Sequence, residues 1–120
     1  MGYLSDTCLC LKKETLDKFD ALLTKQSPTE LKAVGGLLEN AESATDHESG
    51  DKLWFWHNIK WYSDDVEIRF LESFLETLPQ TDYLFIRVGE EMDDNEVRGW
   101  YFGNPFEMYL HRTIEFEKSL

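Results

Sequence analysis

The stretch Lys52-Leu53-Trp54-Phe55-Trp56-His57-Asn58-Ile59-Lys60-Trp61-Tyr62 decides the fold class. Four of its eleven residues are Trp or Tyr, and most of the others also suit a pleated, half-buried strand. On such a strand Leu53 and Phe55 share one face and Trp54 and Trp56 the other. His57-Asn58 reads as a bulge or a tight turn, after which Ile59 and Trp61 resume the alternation. Ser63 then caps a helix whose first turn carries Asp64, Asp65 and Glu67, favourable beside the positive helix end. Val66, Phe70, Leu71, Phe74, Leu75 and Leu78 form its apolar stripe, and Pro79 ends it.

Working outward, Thr7–Leu11 reads as a short strand. A helix follows from about Glu14 to Thr24, with Leu16, Phe19, Leu22 and Leu23 on one side. Ser27-Pro28-Thr29-Glu30 combines a hydroxyl cap, a proline at the first helical position and a glutamate placed for a capping box. Gly35-Gly36 should weaken or bend that helix, by about 1 kcal/mol per glycine. Residues 39–51 hold no apolar side chain larger than alanine and read as a helix end and a mobile loop. Downstream, Tyr83–Val88 is apolar on both faces except for Arg87, as in a central strand. Glu90–Glu96 is an acidic loop, Val97–Phe102 a strand, Gly103-Asn104-Pro105 a turn, and Met108–Glu117 a last strand. The expectation is a single α+β domain over residues 1–120. Its sheet has four or five mostly antiparallel strands arranged as a meander, and two or three helices pack on one face.

Composition narrows the function. The 120 residues carry 24 acidic and 12 basic side chains, a formal net charge of −12. With 42% hydrophobic and 14% aromatic residues, the chain is no disordered acidic tail. No apolar run reaches membrane-spanning length and the N-terminus lacks a secretion-signal pattern. Cys8 and Cys10 are too close for an ordinary disulfide with each other and belong to no metal or redox motif, so they read as reduced, buried small hydrophobes in a cytoplasmic protein. The negative field repels nucleic acid and anionic lipid and steers cationic surfaces inward.

The candidate chemistry follows the charge. Glu90, Glu91, Asp93, Asp94 and Glu96 place five carboxylates in seven residues. They do not match the spacing of an EF-hand, so no metal or cofactor is expected. The remaining readings are a solvated hairpin loop and a loop that offers charge to a basic partner. His47, His57 and His111 belong to no nucleophile motif, and no phosphate-cradling glycine loop exists, so no catalytic residue is assigned and the chain is read as a non-enzyme. Asp64, Asp65 and Glu67 form a second acidic cluster. Trp54, Trp56, Tyr62 and Trp100 are candidate apolar anchors, since Trp and Tyr dominate interface hot spots. With helices on one sheet face, Trp54, Trp56, Tyr83 and Phe85 are expected on the other, where they would fill a thick core or form a self-association surface. Arg87, Arg98 and Arg112, each inside an expected strand, should pair with carboxylates on neighbouring strands.

Met1-Gly2-Tyr3-Leu4-Ser5-Asp6, Ile59-Lys60-Trp61-Tyr62 and Asp82-Tyr83-Leu84-Phe85-Ile86-Arg87-Val88-Gly89-Glu90 resemble segments of a group of bacteriophage and prophage proteins, and the likeness extends over most of the chain. The group transfers no catalytic or binding residue. It implies a context in which small acidic proteins block a host nuclease or defence complex by occupying a nucleic-acid groove. Anti-CRISPR proteins and restriction inhibitors are similar in size and charge, without a shared fold. The expected partner is therefore a basic host protein, with no direct nucleic-acid or membrane binding. The alternative is an adaptor or homodimer that uses its aromatic sheet face.

Overall fold

A computed structural model describes residues 2–111. In chain order the elements are β1 (Ser5–Leu11), α1 (Lys13–Leu23), α2 (Pro28–Glu39), β2 (Ser43–Asp46), β3 (Lys52–Ile59), α3 (Val66–Glu76), a short 3-10 turn (Gln80–Asp82), β4 (Tyr83–Gly89) and β5 (Asn95–Gly99). The strands form one sheet in the order β2-β3-β1-β4-β5. Every neighbouring pair is antiparallel, which makes the chain an α+β domain. The arrangement is not the expected meander, because β1 lies in the middle of the sheet, between β3 and β4.

Local sequence explains most elements. Ser27 caps α2, its Oγ accepting from the Glu30 N–H at 3.3 Å, with Pro28 at the first helical position. Gly35 and Gly36 do not break this helix, which runs on to Glu39. The helix α1 follows Lys12, which offers no side-chain cap, and the missing acceptor comes from a distant loop. Buried Asp51 takes the Lys13 N–H at 3.0 Å on Oδ1 and the Tyr101 hydroxyl on Oδ2. A carboxylate there also suits the positive helix end. Burial, and then the hydrogen bond to Asp51, push the Tyr101 phenol well above its ordinary value.

At His57-Asn58 the β1–β3 register slips by one residue, from Thr7 opposite Trp56 to Ser5 opposite Ile59. Asn58 takes a left-handed φ of 52°, and its N–H and His57 Nδ1 both meet Asp6 Oδ1, at 3.0 and 2.8 Å. The dipeptide is thus the bulge of the two readings. Because a bulge switches the facing of later residues, Ile59 joins Trp54 and Trp56 on one face.

That face is the helix-covered one, which reverses the expected placement of the aromatics. Trp54, Trp56, Tyr83 and Phe85 pack with Leu9, Leu11, Phe19, Leu37 and the buried side of α3 in the main core. Trp56 is 1% exposed, and its indole N–H reaches the Leu37 carbonyl at 2.8 Å. That carbonyl lies in the last turn of α2, where helix geometry leaves acceptors without a partner. The opposite sheet face carries Cys8, Cys10, Leu53, Leu84, Ile86 and Val88. Tyr101, Phe106, Met108 and Leu110 cover it.

Three further expectations are corrected. Residues 43–46 are not loop but the edge strand β2, held to β3 by main-chain pairing while all four side chains stay exposed. The strand expected over Val97–Phe102 is Asn95–Gly99. Gly99 is needed there: its φ is 84°, and a Cβ would collide with the Tyr83 carbonyl. Residues 108–111 are not strand; the remainder of the expected last strand lies outside the described residues. Buried Asn104 organises this segment, its Oδ1 accepting from the Phe106 and Met108 N–H groups and its Nδ2 donating to the Tyr101 and Met108 carbonyls.

Asp51→Ala removes the acceptor of α1 and strands the Tyr101 hydroxyl, and should lower the urea-unfolding free energy by about 2 to 3 kcal/mol. Asp46→Ala on exposed β2 loses only a surface ion pair with Lys52 and should change it by less than about 0.5 kcal/mol.

Candidate functional site

Since Ser5 lies opposite both Ile59 and Gly89, the segments before β1, after β3 and after β4 emerge at one end of the sheet. These are residues 2–4, the 60–65 loop that leads to α3, and the acidic hairpin loop between β4 and β5. Tyr3 ties them together. Its N–H donates to the Tyr62 hydroxyl at 2.7 Å, and its own hydroxyl both donates to Asp94 Oδ2 and accepts the Glu91 N–H at 3.1 Å. A Cβ on Gly89 would meet both the Asp94 carboxylate and the Tyr3 hydroxyl, so only glycine allows this approach.

The five hairpin carboxylates divide into two groups. Asp94 and Glu96 are half-buried and grip Arg87, which reaches Asp94 Oδ1 at 2.9 Å and Glu96 Oε1 at 3.3 Å. Arg87 and Glu96 are direct cross-strand partners. Glu96 also holds Arg98, and Arg98 reaches Glu72 of α3 at 3.7 Å. Glu72 in turn accepts the Ser63 hydroxyl at 2.6 Å. A chain of contacts therefore runs from Tyr62 through Tyr3, Asp94, Arg87, Glu96, Arg98 and Glu72 to Ser63, beside its start. The expected pairing with a carboxylate on a neighbouring strand is present for Arg87 with Glu96, whereas Arg98 pairs instead with Glu96 of its own strand and Glu72 of α3. Arg112 lies outside the described residues. Glu90, Glu91 and Asp93 form the second group, exposed at the tip around Met92, which is 82% exposed.

The Arg87 guanidinium, then the Tyr3 hydroxyl, hold the Asp94 carboxyl below its ordinary value. The same bond to Asp94 raises the Tyr3 phenol and the Arg87 guanidinium. Burial pushes the Cys8 and Cys10 thiols up to about 12, and both are free cysteines.

The second acidic cluster lies at this same end. Asp65 is the N-cap of α3, in place of the expected Ser63, and Asp64 and Asp65 are exposed while Glu67 is half-buried. Of the four anchor candidates, Tyr62 belongs to this end and is partly exposed. Trp54 and Trp56 are buried in the core and offer no docking surface. Trp100 is 66% exposed but stands at the far end of the sheet, its N–H bonded to the Gln80 carbonyl at 2.6 Å. Exposed acids also occur on α1 and α2, among them Asp17, Asp20 and Glu39.

Tyr3 and Met92 were missing from the expected site. Met92 was visible in principle, as a lone apolar residue among acids at a loop tip. The role of Tyr3 depends on the β1–β4 register and had no local signal. A cleft of about 1100 Å³ along α2 was likewise unforeseen. Leu37, Trp56, Ile59 and Ile68 line it, with Lys32 and Lys60 also at its wall. Among the described residues no three His, Cys, Asp or Glu side chains converge as a metal site, and no helix is long and apolar enough to cross a membrane. Comparison with family models, curated proteins and solved structures gave no match.

The Asp94 clamp has a pH signature. A carboxyl held below its unfolded value, about 3.9, stabilises the fold above that pH and loses its contribution as pH falls through the native value. Wild type should exceed Asp94→Asn in urea midpoint at about pH 7, and the gap should shrink steadily below about pH 4. A gap independent of pH would contradict the clamp.

Proposed function

We propose that the chain is a non-enzymatic inhibitor of phage type, which binds a basic, nucleic-acid-binding surface of a host defence protein such as a CRISPR or restriction nuclease complex. The observation that supports this most is the division of labour in the hairpin. Arg87 and Tyr3 brace it through Asp94 and Glu96, leaving Glu90, Glu91 and Asp93 exposed around Met92. A loop already ordered spends less conformational entropy on docking than a free acidic tail. Asp64 and Asp65 at the same end add to the field that would steer a cationic partner. Met92 and Tyr62 are apolar surface that such a partner would desolvate, in the role first given to the tryptophans. On this reading the carboxylates stand where a nucleic acid's phosphates would lie, and the protein acts in the cytoplasm of the infected host.

A cleavage-protection assay over a panel of restriction and CRISPR nucleases tests the proposal. The protein should protect DNA from at least one of them. The triple change Glu90→Lys, Glu91→Lys and Asp93→Lys should slow association by at least about tenfold at low salt and flatten its salt dependence. Reversal of three exposed acids elsewhere, Asp17→Lys, Asp20→Lys and Glu39→Lys, makes the same change in net charge and should leave protection within about threefold. Equal losses in the two triples, or no protection of any nuclease, would overturn the reading.

A further inference from the structure

The outer edge of the sheet at β5 carries an inference that does not use the exposed tip of the acidic hairpin. Among the described residues, strand β5 pairs on one side only, with β4. The Gly89 N–H donates to the Asp94 carbonyl at 2.7 Å, and these residues lie opposite each other when the β4–β5 register is continued by one pair. In an antiparallel ladder this parity turns the main-chain groups of residues 94, 96 and 98 toward β4 and those of Val97 outward. The N–H of Gly99 goes to the Gln80 side chain at 3.2 Å, as that parity requires.

Edge strands are ordinarily protected by lysine, proline, a bulge or a covering segment. Along Asn95–Gly99 there is no lysine, proline or bulge. The Gly99 N–H is taken by Gln80 and the Asn95 N–H by the Asp93 carbonyl, so the main-chain groups that this edge offers are those of Val97, which is 44% exposed. The opposite edge, Ser43–Asp46, differs: it presents only small or charged side chains.

We propose that β5 is a homodimer interface, which pairs antiparallel with β5 of a second copy about a two-fold axis at Val97. The sequence Asn95-Glu96-Val97-Arg98-Gly99 is self-complementary in that register. Val97 faces Val97 of the second copy and exchanges two main-chain hydrogen bonds with it. Glu96 lies opposite Arg98 of the second copy, and Arg98 opposite its Glu96, so each flanking pair joins opposite charges. A register shifted by two residues loses both pairs and sets Glu96 opposite Glu96, or Arg98 opposite Arg98, of the second copy. Glu96 and Arg98 already share an ion pair within one copy, and the second copy extends it into a four-charge cluster on the helix-covered face. The two apolar Val97 side chains meet on the other face. A foreign strand of unrelated sequence would lack this charge match, which selects a second copy as the occupant.

The proposal has an unusual salt signature, because each copy carries a formal charge of −12. Long-range repulsion opposes association, while the contact rests on main-chain bonds, apolar surface and half-buried charge pairs that salt screens much less. Screening should therefore tighten the dimer, the opposite of what charge-driven binding to a basic partner shows.

Sedimentation equilibrium of the full chain tests this. A monomer–dimer equilibrium is expected, with a Kd that falls at least about fivefold between 50 mM and 500 mM salt. Val97→Lys, which blunts the edge without touching the core, should leave the circular dichroism spectrum unchanged and abolish the dimer. Val97→Cys should give a symmetric disulfide-linked dimer under mild oxidation, while buried Cys10 and half-buried Cys8, with their raised thiols, stay unreacted. A chain monomeric at every salt and concentration, or a dimer that survives Val97→Lys, would overturn the proposal.

Discussion

The organisation of this protein depends on one strand being bonded on both sides. β1 is seven residues long, and each end of it meets two partners at once: Ser5 faces Ile59 and Gly89, and Leu11 faces Lys52 and Tyr83. Those two alignments set which loops share an end. Near Ser5 are gathered Tyr3, the loop into α3 and the acidic hairpin. Near Leu11 are gathered Lys12, the Asp51 loop, Asp82 and the Tyr101 segment, with Lys12 Nζ at 3.7 Å from Asp82 and 4.8 Å from the Tyr101 ring. A slip of one residue in either pairing would turn Leu9 and Leu11 out of the main core and detach Tyr3 from Asp94. The hydrophobic pattern of β1 therefore fixes the register and, through it, the composition of the acidic end.

The bulge at His57-Asn58 is the second determinant, and it acts on the first. It lets β3 keep Trp54 and Trp56 inside while also turning Ile59 inward. Asp6, on the strand opposite, holds the bulge with two bonds to one oxygen. Without the extra residue, Ile59 would point to the other face and Tyr62 would not be carried to Tyr3. A side chain of the central strand thus stabilises the irregularity that completes the acidic end.

Much of this was legible from residues alone where a short segment decides the outcome. Ser27-Pro28-Thr29-Glu30 started a helix, the 66–75 stripe made α3, and the 52–59 alternation made β3. Arg87 found Glu96 because β-strand pairing of opposite charges is a local preference. The losses have specific causes. Strand parity groups Trp54 with Trp56 but does not say which face the helices cover. The Trp56 bond to the Leu37 carbonyl, nineteen residues away, belongs to the face that was not expected. Strand β2 is held by main-chain bonds between exposed polar residues, so no apolar pattern marked it. The turn at Gly103-Asn104-Pro105 does not lead into strand at 108–111, because one buried asparagine meets four main-chain groups there. In the acidic hairpin the five carboxylates divide, because the register hands Asp94 and Glu96 to Arg87.

The two proposals place different demands on the same hairpin, and the geometry reconciles them. A strand rises about 3.3 Å per residue. In a pair centred on Val97, the two Asp94 residues stand six residues apart along the shared axis, roughly 20 Å. That exceeds twice the Debye length of about 8 Å at physiological salt, so the hairpins scarcely repel each other. The antiparallel arrangement also sends the two tips to opposite ends of the extended sheet, away from the shared edge. Glu90, Glu91 and Asp93 stay exposed in the pair, and a basic partner could engage one tip without displacing the second copy. Self-association through β5 and docking through the acidic end are then separable by salt: one strengthens as ions are added and the other weakens.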